Sequence, residues 1–129
     1  MILVDSSVWI DHFRGRSTPE TATLQAAVAR RQALVGDLIL LELLQGARDD
    51  VSAARIEQLM RLFPVVDLLG VDLAPRAARN YRRLRELGVT VRKTIDVIIG
   101  TYCIEHAHAL LHCDRDFAPL EKHLGLRVA

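Results

Sequence analysis

Five carboxylates in this chain stand where apolar runs leave them few neighbours to pair with. Asp5 ends the run Ile2–Val4 in "MILVDSSVWID", and Asp114 ends another in "ALLHCDRDF", with Asp116 two positions on. Glu42 sits inside "LILLELLQG" and Asp96 inside "TIDVIIG". Ionised groups are seldom buried unpaired. Asp96 has a plain alternative explanation, because the first turn of a helix favours a carboxylate. Glu42 has less of one, since the leucines and isoleucine around it leave little of that turn for solvent. Carboxylates gathered in one pocket repel each other and resist ionisation unless a cation compensates. All-oxygen donors call for a hard divalent ion, Mg²⁺ or Mn²⁺. Zinc suits the chain less well: His106, His108 and His112 cluster in sequence without the spacing of a zinc site. They read as a helix end and ordinary strand positions.

The elements that must position these acids follow from periodicity. Ile2–Val4 is expected to be a buried strand, followed by a helix capped at Ser6 or Ser7 and running to about Phe13. A second helix starts near Pro19, with a capping box from Ser17 to Glu20, and runs to about Gln32. Leu38–Gln45 and a segment capped by Asp50 or Ser52 are expected helices, the latter with Ile56, Leu59, Met60 and Phe63 inward. Val65–Leu68 is an expected strand. Pro75–Leu87 is amphipathic with Gly88 as its stop, and Thr94 caps a helix to about His106. Ala109–Cys113 is an expected strand, Phe117–His123 a short helix, and Leu126–Val128 a closing strand. Strands separated by helices predict an α/β fold with a mainly parallel sheet, whose ligands gather at the carboxyl ends of the strands. Residues 1–129, half of them apolar, are enough for one domain.

The blocks "VDSSVWID", "ELLQGAR", "YRRLRELGVTVRKTIDVIIGTYC" and "LLHCDRDF", in that order, resemble PIN-domain proteins, and most closely the VapC ribonuclease toxins of toxin–antitoxin pairs. The resemblance spans nearly the whole chain. It implies a three-layer α/β/α fold with a parallel sheet of four to five strands, an acidic pocket for Mg²⁺ or Mn²⁺, and endonucleolytic cleavage of RNA to 5′-phosphate and 3′-hydroxyl ends. It also implies a homodimer and a VapB-like antitoxin, forming a heterotetramer or larger assembly. Carried over by position, Asp5, Asp96 and Asp114 would be metal ligands and catalytic groups. Asp116 would be a further ligand or a support, and Glu42 a catalytic acid that positions or deprotonates water. Ser6 matches a hydroxyl position beside the first Asp, with a plain helix cap as the alternative. The chain departs from the family at Ala107–His108, where Gly is frequent, so a differently shaped helix end is expected there.

The net charge of +1 hides an asymmetry, since neutralising the five acids leaves eleven against seventeen bases. From Arg76 to Lys93 the chain carries six arginines and a lysine against Glu86 alone. Such a stretch suits a phosphate backbone, or is a solvated helix face. Arg14, with Arg16, and Arg115 are further substrate-binding candidates. Trp9 is expected in the core, or in a groove that takes an antitoxin. Cys103 and Cys113 are expected to be reduced and buried. No apolar run is long enough to cross a membrane, and a soluble cytoplasmic protein is expected. Two rival classes remain: a Mg²⁺-dependent phosphohydrolase of another α/β fold, and a non-catalytic PIN-fold binding module. Against the first, "VDSSVW" lacks the second Asp two residues after the first that haloacid-dehalogenase phosphatases use.

Overall fold

Four short apolar segments, β1 (Ile2–Val4), β2 (Ala33–Gly36), β3 (Val65–Val66) and β4 (Ala109–Leu111), pair in parallel in the order β3-β2-β1-β4. This is seen in a computed structural model of the chain that describes residues 1–129. The central strand β1 sets Ile2 and Leu3 opposite Ala33 and Leu34 on one side. On the other side it sets Ile2, Leu3 and Val4 opposite Ala109, Leu110 and Leu111. Parallel neighbours require helical crossovers. These are α1 (Ser6–Phe13) and α2 (Pro19–Ala29), α3 (Asp37–Gln45) and α4 (Asp50–Met60), then α5 (Leu73–Glu86) and α6 (Thr94–Glu105). A 3₁₀ turn, Arg115–Phe117, and α7 (Ala118–Leu124) follow β4. Helix α1 packs on α2 and α3, and α3 on α4, while α5, α6 and α7 pack on one another, which gives the expected α/β/α layering. Leu3, Val4, Val35 and Leu110 are fully buried, which explains why the strands read as continuous apolar runs rather than alternating ones.

Several boundaries differ from expectation for identifiable reasons. The helix expected to reach Gln32 stops at Ala29, because Arg31 takes φ 56 and turns the chain into β2, a strand not predicted from the sequence. Its start is set by Thr18 and Thr21, whose side chains each accept the other's backbone N–H at 3.0 and 2.9 Å, rather than by Ser17 and Glu20. This places Pro19 at the first helical position, where its missing N–H is harmless. Asp5 itself caps α1, and Asp49 caps α4 through a 2.8 Å bond from Ser52 N–H. Residue Thr94 lies inside α6, whose N-cap is Lys93 with no capping side chain. The strand expected over Val65–Leu68 ends at Val66, because Leu68 leaves the ladder to pack over Gly36, in space that a Cβ would fill, and donates its N–H to Asp37 Oδ1 at 3.0 Å. The closing strand is reduced to one parallel bridge, Leu110 to Val128. Trp9 is in the core, its ring 5.2 Å from that of Phe63, whereas Leu59 is exposed. Cys103 is buried, but Cys113 is exposed.

The helix end at Ala107 keeps the shape that glycine favours. Ala107 adopts φ 55, and His108 N–H closes back on Cys103 carbonyl at 2.9 Å. The left-handed turn is therefore made without glycine, and the Cβ carries its steric cost. Ala107→Gly should raise stability by about 0.5–1 kcal/mol, the steric relief less the added chain entropy of glycine. Chemical denaturation of the two proteins under identical conditions measures it, and no gain would mean the strain is absent.

Candidate active site

The carboxyl edge of the sheet collects the acids because every strand points the same way. Asp5 follows β1 directly, is 4 % exposed, and donates its N–H to Leu111 carbonyl at 2.9 Å, which ties the ends of β1 and β4 together. Its Oδ2 accepts from Ser7 N–H at 3.1 Å and from Ser7 Oγ at 2.5 Å. Asp96 lies in the first turn of α6 and is also 4 % exposed. Asp114 follows β4 and caps the 3₁₀ turn through Asp116 N–H at 2.9 Å. Oxygens of Asp96, Asp114 and Asp116 lie within 4.8 Å of one another. Asp5 and Glu42 stand outside that triplet yet within electrostatic reach of Asp96.

The crowding shows in the acidities. Burial pushes Asp96 up to about 6, helped by the charges of Asp5, Asp114 and Asp116 and opposed by Lys93. Burial also raises Glu42, together with Asp5 and Asp96, while Lys93 and the Ser6 side chain pull it back. Asp114 behaves oppositely. Desolvation pushes it up, but hydrogen bonds from Asp116 N–H and from Lys93 outweigh this and leave it below the usual carboxylate range. Two buried oxygens, Asp96 Oδ2 and Glu42 Oε1, have no hydrogen-bond partner. Orphaned acceptors on crowded carboxylates, with no thiol or imidazole in the triplet, fit a hard divalent cation.

A model of the PIN domain family matches residues 2–122. The chain belongs to the PIN domain family. It is 29 % identical over 131 residues to Ribonuclease VapC11 of Mycobacterium tuberculosis, covering 100 % of this chain and 98 % of the relative. A VapC ribonuclease of Mycobacterium bovis is similar to the same extent, 29 % over 131 residues with 100 % and 98 % covered. Among solved structures, VapBC2 from Rickettsia felis, bound to a DNA fragment from its promoter, aligns with TM-score 0.78 at 11 % identity over 100 % of this chain and 98 % of that one. FitAcB from Neisseria gonorrhoeae aligns with TM-score 0.76 at 16 % identity over 99 % and 96 %. At these identities the structural likeness is one of fold.

Within this PIN domain the residues anticipated from sequence divide into two groups. Asp5, Glu42, Asp96, Asp114 and Asp116 come to one edge, with Ser6 beside Glu42 and the exposed Arg115 between the two late acids. Arg14 does not join them: it caps the far end of the eight-residue α1, about 13.5 Å along the axis from Asp5. His106 stacks on Tyr102, and His108 on His106, at the opposite end of α6 from Asp96.

Three participants were missed from the sequence. Ser7, not Ser6, binds Asp5, and its Oγ also accepts Cys113 N–H at 3.2 Å. His112, read as an ordinary strand position, accepts Asp114 N–H on Nδ1 at 3.1 Å, and its Nε2 lies 3.5 Å from Glu121 Oε2. Lys93, read with the outer basic stretch, turns its ammonium into the acids.

A carboxyl group raised by folding binds protons more tightly in the folded state, so it weakens the fold where it is ionised and ceases to do so as pH falls. Metal-free Asp96→Asn should therefore be more stable than the wild type at pH 7.5. The gap should begin to narrow as pH falls through about 6 and vanish near the ordinary aspartate value of 3.8. Thermal melts of both proteins across that window check the sign, and a constant gap would contradict it.

Proposed function

We propose that this PIN domain is a metal-dependent endoribonuclease, the toxin of a VapBC-type toxin–antitoxin pair. The observation that carries the reading is the convergence of acids from β1, α3, α6 and the segment after β4, with buried, unpartnered oxygens on Asp96 and Glu42. The full-length similarity to proteins named VapC ribonucleases supports the same class of activity. Asp5, Asp96, Asp114 and Asp116 would hold Mg²⁺ or Mn²⁺, which when bound supplies Lewis acidity toward a phosphodiester and acidifies water. Ser7 fixes Asp5 by two hydrogen bonds, and His112 fixes the backbone at Asp114, so both carboxylates are oriented before substrate arrives. Glu42 Oε1, free of donors and raised in pKa, is the acceptor suited to take a proton from the attacking water. Ser6, beside Glu42, and the exposed Arg115, between Asp114 and Asp116, would bind the phosphate.

Substrate RNA would be held along α5. This helix runs beside α6 in the opposite direction, since Arg76 pairs with Glu105 and Asn80 Nδ2 donates to Thr101 Oγ1 at 2.9 Å. Its later arginines therefore end beside the start of α6, and Arg82 shares a groove with Thr94. Arg82, Arg83 and Arg85 are all exposed. The solved relatives described as toxin–antitoxin or VapBC complexes support a VapB-like antitoxin as partner; the unit that would assemble with it is a homodimer. No helix is long and apolar enough to cross a membrane.

Metal-loaded wild type should cut total RNA and leave a generic phosphomonoester intact. Asp5→Asn should lose about a hundredfold or more of the RNA cleavage while melting as a folded protein, because a metal ligand matters more than the outer-shell groups whose loss costs 10–100-fold. Undiminished cleavage by that variant, or preference for the monoester, would reject the reading. Replacing Arg82, Arg83 and Arg85 together by alanine should weaken binding of single-stranded RNA and flatten the slope of log affinity against log salt by about 2, at roughly 0.7 per phosphate contact. An unchanged slope would mark these arginines as a solvated face.

A further inference from the structure

One cation already lies inside the acidic cup, and the chain supplies it. Lys93 Nζ is 3.3 Å from Asp114 Oδ2 and 3.6 Å from Asp96 Oδ2, and no other cation pairs with either acid. It therefore spans two of the three carboxylates whose oxygens lie within 4.8 Å of one another. Its contact with Asp96 is one of charge only: Asp96, 4 % exposed, keeps Oδ2 without a hydrogen bond. The ammonium neutralises the pair but leaves the buried oxygen unsatisfied. A better partner for that oxygen would displace it.

The local backbone allows such displacement. Lys93 is the N-cap of α6 with extended φ −132 and ψ 119, and its side chain is 47 % exposed. A flexible four-carbon stem carrying a compact, strongly hydrated charge can move its head from the acids to water with its stem in place. The neighbouring Arg92, by contrast, is exposed and pairs with none of these acids. Two cations drawn to the same pair of oxygens repel each other.

We infer that Lys93 is a tethered counter-ion: it holds Asp96 and Asp114 together before a divalent cation arrives, and it competes with that cation for their oxygens. The inference rests on the metal-dependent reading above and adds to it an internal competitor that sets how readily the site loads. Occupancy then follows free metal concentration against a fixed local charge, and the metal-free protein is spared the repulsion of its own acids.

The test titrates Mn²⁺ into metal-stripped full-length protein by calorimetry, with thermal melts in parallel, for the wild type, Lys93→Met, Lys93→Gln and Lys93→Arg. Removing the charge should tighten Mn²⁺ binding about tenfold, lower the melting temperature of the metal-free protein, and enlarge the rise on adding Mn²⁺. Lys93→Arg, which keeps the charge, should stay within about threefold of the wild type. Because the Met and Gln variants differ in polarity but share the lost charge, agreement between them identifies charge as the cause. Finite but equal or weaker Mn²⁺ affinity in both neutral variants would overturn the competition while leaving the nuclease reading standing. Absence of Mn²⁺ uptake by wild type and variants alike would overturn both.

Discussion

The molecule is organised around the repulsion among carboxylates that a parallel sheet delivers to one edge. Because all strands run the same way, the ends of β1, β2 and β4 meet there, as do the beginnings of α1 and α3. The start of α6 joins them and carries Asp96. Part of the repulsion is offset by the chain itself. The positive ends of helix dipoles face that edge, Ser7 donates twice to Asp5, and Lys93 reaches Asp96 and Asp114. The remainder shows as proton affinity: Asp96 and Glu42 are raised, while the better-bonded Asp114 is lowered. The same set of groups thus contains acids that resist ionisation and one that favours it, and the difference follows from burial and from hydrogen-bond donors.

The acids are not held in the same way. Asp5 and Asp96 are packed into the strand and helix framework, each 4 % exposed. Asp114 and Asp116 ride on the turn after β4 and owe their placement to a handful of local bonds, including those from Asp116 N–H to Asp114 and from Asp114 N–H to His112. The buried pair has little freedom to adjust to a change in local charge, and the pair on the turn has more. Glu121 Oε2, on α7, lies 3.5 Å from His112 Nε2, which is buried and makes no hydrogen bond.

Much of this was legible in the sequence because an acid that terminates or interrupts an apolar run is conspicuous without any knowledge of the fold. Asp5, Glu42, Asp96 and Asp114 declared themselves that way, and the alternation of apolar runs with helical periods gave the parallel sheet. The strand β2 did not declare itself. Its four residues follow α2 with no Gly or Pro between, and the turn is made by Arg31 in a left-handed conformation that residue type does not announce. Lys93 was assigned to the outer basic stretch for a related reason: charge counting reads what a residue is, whereas its role depends on where its stem points. The neighbours Ser6 and Ser7 are equivalent on paper, and only the first turn of α1 decides which hydroxyl meets Asp5. At Ala107 the backbone kept a shape that the absence of glycine argued against.

The hydroxyl of Ser7 joins residues more than a hundred positions apart, since it bonds both Asp5 and the amide of Cys113. Asp5 N–H likewise depends on Leu111 carbonyl. A ribosome making this chain from its amino end therefore releases the first acid long before the groups that orient it. Until residues 109–116 have emerged and β4 has docked against β1, the growing polypeptide has no assembled cup, and whatever chemistry the finished edge performs is deferred until then.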